Sequence, residues 1–174
     1  ETLVGDKYVA VFFAVGAVLN IAIFMNAAGI LSKYGNFKFT LYLSFLEIAF
    51  LAGLATFTNP IVLIILFVLH QALSPVLLYT LDIFLEKISS TVNIGSIRGT
   101  YLTIMNIPPA VAPIIVGLIL VKPEYWKIYL ISAIFLVPFI IIIMMNFKNF
   151  KDPAYTAFPF TQSLKSFFSN KNLA

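Results

Sequence analysis

"GSIRGTYLTIMNIPPAVAP", residues 95–113, brings an arginine and a glycine to the start of an apolar run and then sets Pro108, Pro109 and Pro113 inside it. In a water-soluble helix each such proline removes a hydrogen bond and clashes with the preceding turn, at about 3 kcal/mol or more. Within a bilayer, proline is tolerated in helices, because neighbouring helices and hydroxyls re-satisfy the freed carbonyls. The stretch therefore reads as a membrane-spanning helix, and the composition agrees. The chain is 61% hydrophobic and 10% charged, with a mean hydropathy of +1.01. A soluble domain is about half apolar and one quarter charged. One core of 174 residues cannot hide this much apolar surface, so lipid is the expected solvent.

Five apolar runs stand out, over residues 8–31, 39–57, 60–85, 99–121 and 126–147. Each approaches or exceeds the roughly 20 residues a helix needs to cross the hydrocarbon. The breaks, "SKYGNFK" (32–38), "FTNP" (57–60), "EKISSTVNIGSIR" (86–98) and "VKPEYWK" (121–127), carry turn or charge chemistry. Asn59-Pro60 suits a helix start, since proline is at home in a first turn. The expected fold is all-α, a polytopic transmembrane bundle of five spanning helices over residues 1–148. Residues 149–174 form a cytoplasmic loop or tail. There Phe160, Leu164, Phe167 and Phe168 recur at helical spacing with Lys165 and Lys171 between them, as in an amphipathic segment on a membrane surface; a disordered tail is the alternative.

The chain has no cysteine and one histidine, His70, which excludes a disulfide framework and a thiolate or His-rich metal centre. No cofactor and no metal are expected. The net charge of +4 is read by position rather than as affinity for nucleic acid. With the breaks assigned alternately to two sides, Lys33, Lys38, Lys87, Arg98, Lys148, Lys151, Lys165 and Lys171 share one side. Lys7, Lys122 and Lys127 share the other. This bias makes the first side cytoplasmic. The N-terminus is then outside and the C-terminus inside, in the plasma (inner) membrane, with Tyr125 and Trp126 at the outer interface.

Charges inside a span cost on the order of 2.5–3.5 kcal/mol at the bilayer centre and need a reason. Glu47 sits near the middle of the second run and Asp82 in the inner third of the third. At about 100° per residue, Gln71, Pro75, Leu78, Asp82 and Glu86 share a stripe, with His70 and Ser74 about 100° away. A polar line of this kind faces a bundle interior or a cavity. Glu47 is equally readable as a protonated, hydrogen-bonded structural group, and Asp82, Glu86 and Arg98 as a structural ion network. Asn26 reads as interhelical glue. Asn106 shares a face with Ala110, Pro113 and Gly117, where small residues allow close helix approach.

These residues resemble the major facilitator superfamily. "AGILSKYGNFK" (28–38) is similar to the family's loop motif Gly-x-Leu-Ala-Asp-Arg-x-Gly-Arg-Arg/Lys, with Lys33, Gly35 and Lys38 matching in kind. Ala28 stands at the first glycine position, beside Gly29, and Ser32 stands where the family has Asp. Glu86 followed by Arg98-Gly99 resembles the passage from helix 4 to helix 5, across a longer loop. "AVAPIIVG" (110–117) is similar to the helix 5 Gly-Pro motif, with Ala112 before Pro113, and "KPEYWKIYLI" (122–131) resembles the start of helix 6. The resemblance spans helices 2 to 6; helices 8 to 12 would fit the same orientation, because the two halves repeat in parallel.

The resemblance implies a secondary transporter that moves a small solute by alternating access, with no enzymatic chemistry. It also implies partners in the bilayer, a missing helix 1 and a second six-helix half. Glu47, His70, Gln71 and Asn106 are then expected on the substrate or proton pathway. Ser32, Lys33, Gly35, Lys38, Asp82, Glu86, Arg98 and Gly99 fall in the cytoplasmic gate and loop motifs, and Pro113 and Gly117 in helix 5 packing. Two alternatives remain open: a membrane enzyme using His70 with Glu47 or Asp82 as acid and base, and a non-transporting scaffold subunit.

Overall fold

The computed structural model describes residues 9–89, 94–120 and 124–155. Among them the protein is all-α, with five helices in chain order: α1 Val9–Tyr34, α2 Asn36–Thr56, α3 Pro60–Ile88, α4 Ile94–Ile119 and α5 Trp126–Asn146. All five are long and apolar enough to cross a membrane, as the hydropathy requires of an integral membrane protein. The aromatic segment around Phe160–Phe168 lies outside the described residues.

Helix boundaries run past the apolar runs. The break at 32–38 shrinks to Gly35 alone, and α3 and α4 extend to Ile88 and back to Ile94, so Glu86, Lys87 and Arg98 are helical. Polar residues at the end of a spanning helix lose nothing by staying helical, because the backbone is satisfied and the side chains reach water. Asn59 caps α3, its side chain accepting from the backbone N–H groups of Ile61 and Val62. Helix α4 continues through Pro108, Pro109 and Pro113.

The helices are unequally engaged. α2 packs along α3 on one side and α5 on the other, and α3 also carries α1. Leu43, Val76 and Leu77 form the core of this packing, with Phe24, Phe39 and Phe139 against it. α4 makes only a brief contact with α5, and the face holding Asn106, Ala110, Pro113 and Gly117 is exposed. No neighbouring atom lies within 4 Å of a Cβ added at Gly99 or Gly117, so the close approach read from these small residues is not made among the described residues.

The end of the bundle holding Gly35 is tied by the chain leaving α5. Phe147 and Phe150 pack on Phe84 of α3, the first tilted and the second edge-to-face, with ring centroids 4.3 and 4.7 Å away. That carries Asp152 over the start of α2, where its Oδ1 accepts the Asn36 backbone N–H at 2.6 Å. The carboxylate thus meets one of the unpaired donors at the positive end of this helix. The Tyr155 hydroxyl donates to the same oxygen at 2.5 Å. Burial, and then the Asp152 carboxylate, push its phenol well above the usual range, so it stays protonated as the donor.

Gly35 has a φ of +76°, the one positive φ among the described residues. A Cβ there would sit 2.7 Å from Asp152 Oδ2. Gly35→Ala is therefore expected to lower stability by about 1–3 kcal/mol, measured by thermal unfolding in micelles. Gly29→Ala, in open space within α1, is expected to be neutral or slightly stabilising.

Candidate functional site: a polar seam between α2 and α3

Asn36, Thr40, Ser44 and Glu47 recur every three or four residues, which places them on one face of α2. The first three are 0% exposed and Glu47 is 5% exposed. Two of them satisfy themselves: the Thr40 hydroxyl donates to Asn36 O and the Ser44 hydroxyl to Thr40 O, both at 2.7 Å. The other two reach α3. Asn36 Nδ2 donates to the Thr80 carbonyl at 2.9 Å, and Glu47 meets His70 and Ser74.

Glu47 Oε1 accepts twice, from His70 Nδ1 at 2.5 Å and from the Ser74 hydroxyl at 2.6 Å. His70 and Ser74 are one turn apart on α3, so one carboxylate oxygen holds both. The His70 ring is a quarter exposed while the Glu47 side chain is buried. Glu47 Oε2 and Asn36 Oδ1 are buried with no hydrogen-bond partner among the described residues. The arrangement is not a nucleophile relay: there a base takes the hydroxyl proton, and the acid sits on the far ring nitrogen. Here Ser74 and His70 both address the same carboxylate oxygen, and Ser74 lies 3.4 Å from the same Nδ1. What the group can do is hold a proton. The carboxylate can accept from a neutral imidazole N–H or from an imidazolium, and each proton the pair gains adds one positive charge.

The other sequence-expected residues lie elsewhere. Gln71 packs on α1, where a Cβ added at Gly16 would meet its Cγ at 3.1 Å. The neighbouring Ala72 carbonyl accepts Asn20 Nδ2 at 2.7 Å, so the α1–α3 polar grip belongs to Asn20. Asn26 and Asn106 bond carbonyls of their own helices, Ala22 and Leu102. Asp82, Glu86 and Arg98 line one cleft of about 290 Å³ with Tyr101 between α3 and α4, without an ion pair between them among the described residues. The stripe from Gln71 to Glu86 is thus divided, its upper part against α1 and its lower part toward α4. Ser32 bonds Gly29 O of its own helix, Lys33 Nζ lies 5.2 Å from the Tyr34 ring, and Lys38 is exposed.

Sequence reading did not single out Asn36, Thr40, Ser44, Thr80 or Asp152. The i, i+4 recurrence Asn36–Thr40–Ser44 was the available signal, since three small polar residues on one face of a spanning helix mark a buried, partnered face. No protein-family model, curated protein or solved structure matches the chain.

Removing one member of the Glu47–His70 pair should cost more than removing both. His70→Leu leaves a buried carboxylate with Ser74 alone and is expected to destabilise by about 3 kcal/mol. The double variant Glu47→Leu/His70→Leu is expected to recover most of that loss. Unfolding of the two single variants and the double variant in mixed micelles measures the coupling; additive losses would show the pair to be energetically independent.

Proposed function

We propose that the chain is the membrane-embedded part of a secondary transporter that moves a small solute by alternating access, with the Glu47–His70 pair carrying the coupling proton. The observation that carries this reading is the buried carboxylate itself. Glu47 lies within a spanning helix, shares Oε1 with two donors on α3 and leaves Oε2 without a partner among the described residues. Intramembrane ionisable groups are expensive, and proton relays are among the uses that justify them. A pair whose charge changes by one on protonation supplies a state difference, and state differences are what drive alternating access.

Two further features support the reading. α4 stands nearly free of a body formed by α1, α2, α3 and α5, which leaves room for a partner half and for relative movement. The charge bias and the degenerate loop motifs around Gly35 and Arg98 resemble those of the major facilitator superfamily. In this reading the end holding Gly35, Arg98 and Asp152 faces the cytoplasm of a cell bounded by its plasma (inner) membrane.

Two measurements test it. Full protein in liposomes is screened for uptake of a solute panel with and without an inward proton gradient. Glu47→Gln is expected to abolish gradient-driven accumulation while retaining downhill exchange; an unchanged pH dependence would remove the pair from coupling. Because the chain has no cysteine, single cysteines report sidedness. In intact cells a membrane-impermeant maleimide is expected to label Thr58→Cys and to spare Ser32→Cys, and the reverse pattern would invert the orientation.

A further inference from the structure

Serine and threonine hydroxyls in a spanning helix have a ready partner, the carbonyl one turn back on their own helix. Thr40, Ser44, Thr56 and Thr103 donate to the carbonyl four residues back, and Ser32 and Thr80 to the one three back. Ser74 departs from this pattern. Its hydroxyl crosses to α2 and donates to Glu47 Oε1, and it is the one serine or threonine among the described residues that donates to another helix. The carbonyl it forgoes is that of His70, whose ring addresses the same carboxylate oxygen.

The choice of partner bears on the state of the carboxyl group. A hydroxyl gains little by leaving one neutral carbonyl for another, whereas a charged oxygen makes a hydrogen bond roughly twice as strong. With a proton on Oε1, that oxygen would be a donor and a poor acceptor, yet two donors point at it. With the proton on Oε2, Oε1 would be a neutral carbonyl like the one Ser74 has on its own helix, and the new O–H would meet no acceptor among the described residues. Two donors on one oxygen therefore select the carboxylate. Nδ1 of His70 is committed to Glu47, so a proton gained by the pair falls to the lone pair of Nε2. The ring is also the open member, 25% exposed against 6% for the Glu47 side chain. The other titratable groups on the surrounding helices stand away from the pair. On α2, Lys38 lies near the helix start and Tyr42 is exposed; on α3, Tyr79 and Asp82 lie toward the Gly35 end; on α5, Lys127 and Tyr129 lie in the first turns; α1 has only Lys33 and Tyr34, in its last turn.

We infer that Ser74 is a positioning residue that keeps Glu47 a carboxylate, so that the proton the pair exchanges is held at Nε2 of His70 and not on the carboxyl group. Uptake forms an N–H bond at Nε2 and breaks no bond in Glu47 or Ser74; release returns the electron pair to Nε2. Throughout, Nδ1–H and the Ser74 hydroxyl stay on Oε1, and the pair gains and loses one positive charge without rearranging the seam. The bearing of this on coupling rests on the transporter reading; the place of the proton does not.

His70 is the single histidine of the chain, so nitrogen NMR of the full chain with isotope-labelled histidine follows one ring. The protein in micelles is taken through the range where imidazole titrates, about pH 5 to 8. Infrared difference spectra against Glu47→Gln isolate the Glu47 carboxyl stretch over the same range. The expected result is that Nδ1 stays protonated throughout, Nε2 alone titrates, and no protonated Glu47 carboxyl appears. Ser74→Ala is expected to bring up a protonated carboxyl signal at the acid end, which Glu47→Gln/Ser74→Ala lacks. Ser74→Thr, which keeps the hydroxyl, is expected to match the wild type. A neutral ring with its proton on Nε2 and Nδ1 bare, or a protonated Glu47 carboxyl in the wild type, overturns the inference. So does a folded Ser74→Ala protein whose spectra match the wild type, and the wild-type spectra decide even where that variant fails to fold. Neither spectrum involves transport: the expected spectra without proton-driven uptake of any solute would remove the transporter reading and leave the role of Ser74 in place.

Discussion

Hydrocarbon offers no hydrogen bonds, so every polar group inside this bundle has to be answered by the bundle itself. That constraint organises the α2–α3 seam. A helix in water could turn Asn36, Thr40, Ser44 and Glu47 toward solvent; in lipid the same stripe has to find a neighbour. α3 answers with the Thr80 carbonyl, the Ser74 hydroxyl and the His70 ring. The rotation of α2 about its axis follows from where these partners are, since turning it by one residue would swing a carboxylate by about 100° into acyl chains. The apolar contacts of Leu43 with Val76 and Leu77 then fill the space that the polar contacts define.

The same constraint accounts for the isolation of α4. Lipid tails are as apolar as leucine, so apolar area alone gives two helices little reason to associate. Helices hold together where small residues permit close approach or polar groups bridge. α1 has such a bridge in Asn20, and α2 has several. On α4, Thr103 and Asn106 each donate to a carbonyl one turn back on their own helix. Among the described residues no hydrogen bond joins the middle of α4 to another helix, and the carbonyls that its three prolines leave without an N–H are not answered by one. The result is α1, α2 and α3 joined by hydrogen bonds, α5 packed on α2, and α4 beside them with an unengaged small-residue face.

What could be read from the chain alone divides along a physical line. The five spanning helices were legible because hydropathy is a local property and a single stretch declares it. Glu47 and His70 were legible as anomalies, since a charge or an imidazole in an apolar run is visible without knowing its neighbours. That they meet each other was not legible. It depends on the axial rotation of α2 against α3, and periodicity alone favours the longer polar stripe through Gln71 and Asp82 over the one through His70. Asp152 was out of reach for a further reason. Its partner lies 116 residues away, and a carboxylate in a basic, aromatic segment after the last helix carries no mark of capping a helix start elsewhere. The loop motif marks Gly35 only as a glycine of a pattern, whereas its positive φ and the closeness of Asp152 give it a steric reason of its own.

The two ends of the bundle solve the helix-terminus problem in opposite ways. At the Gly35 end the chain returns on itself: Asp152 meets the open donor of α2, Tyr155 braces the carboxylate, and three phenylalanines seal α3 to the exit of α5. At the other end Pro60 withholds the N–H that would answer the Thr56 carbonyl, and packing does the holding: Leu51 and Leu54 are buried, and Gly53 lies so close to Leu66 of α3 that a Cβ would sit 2.7 Å from its side chain. α2 is thus fixed at its start by a carboxylate and at its last turn by close apolar contact. Because Glu47 lies near the middle, both ends set the rotation that brings its carboxylate to His70.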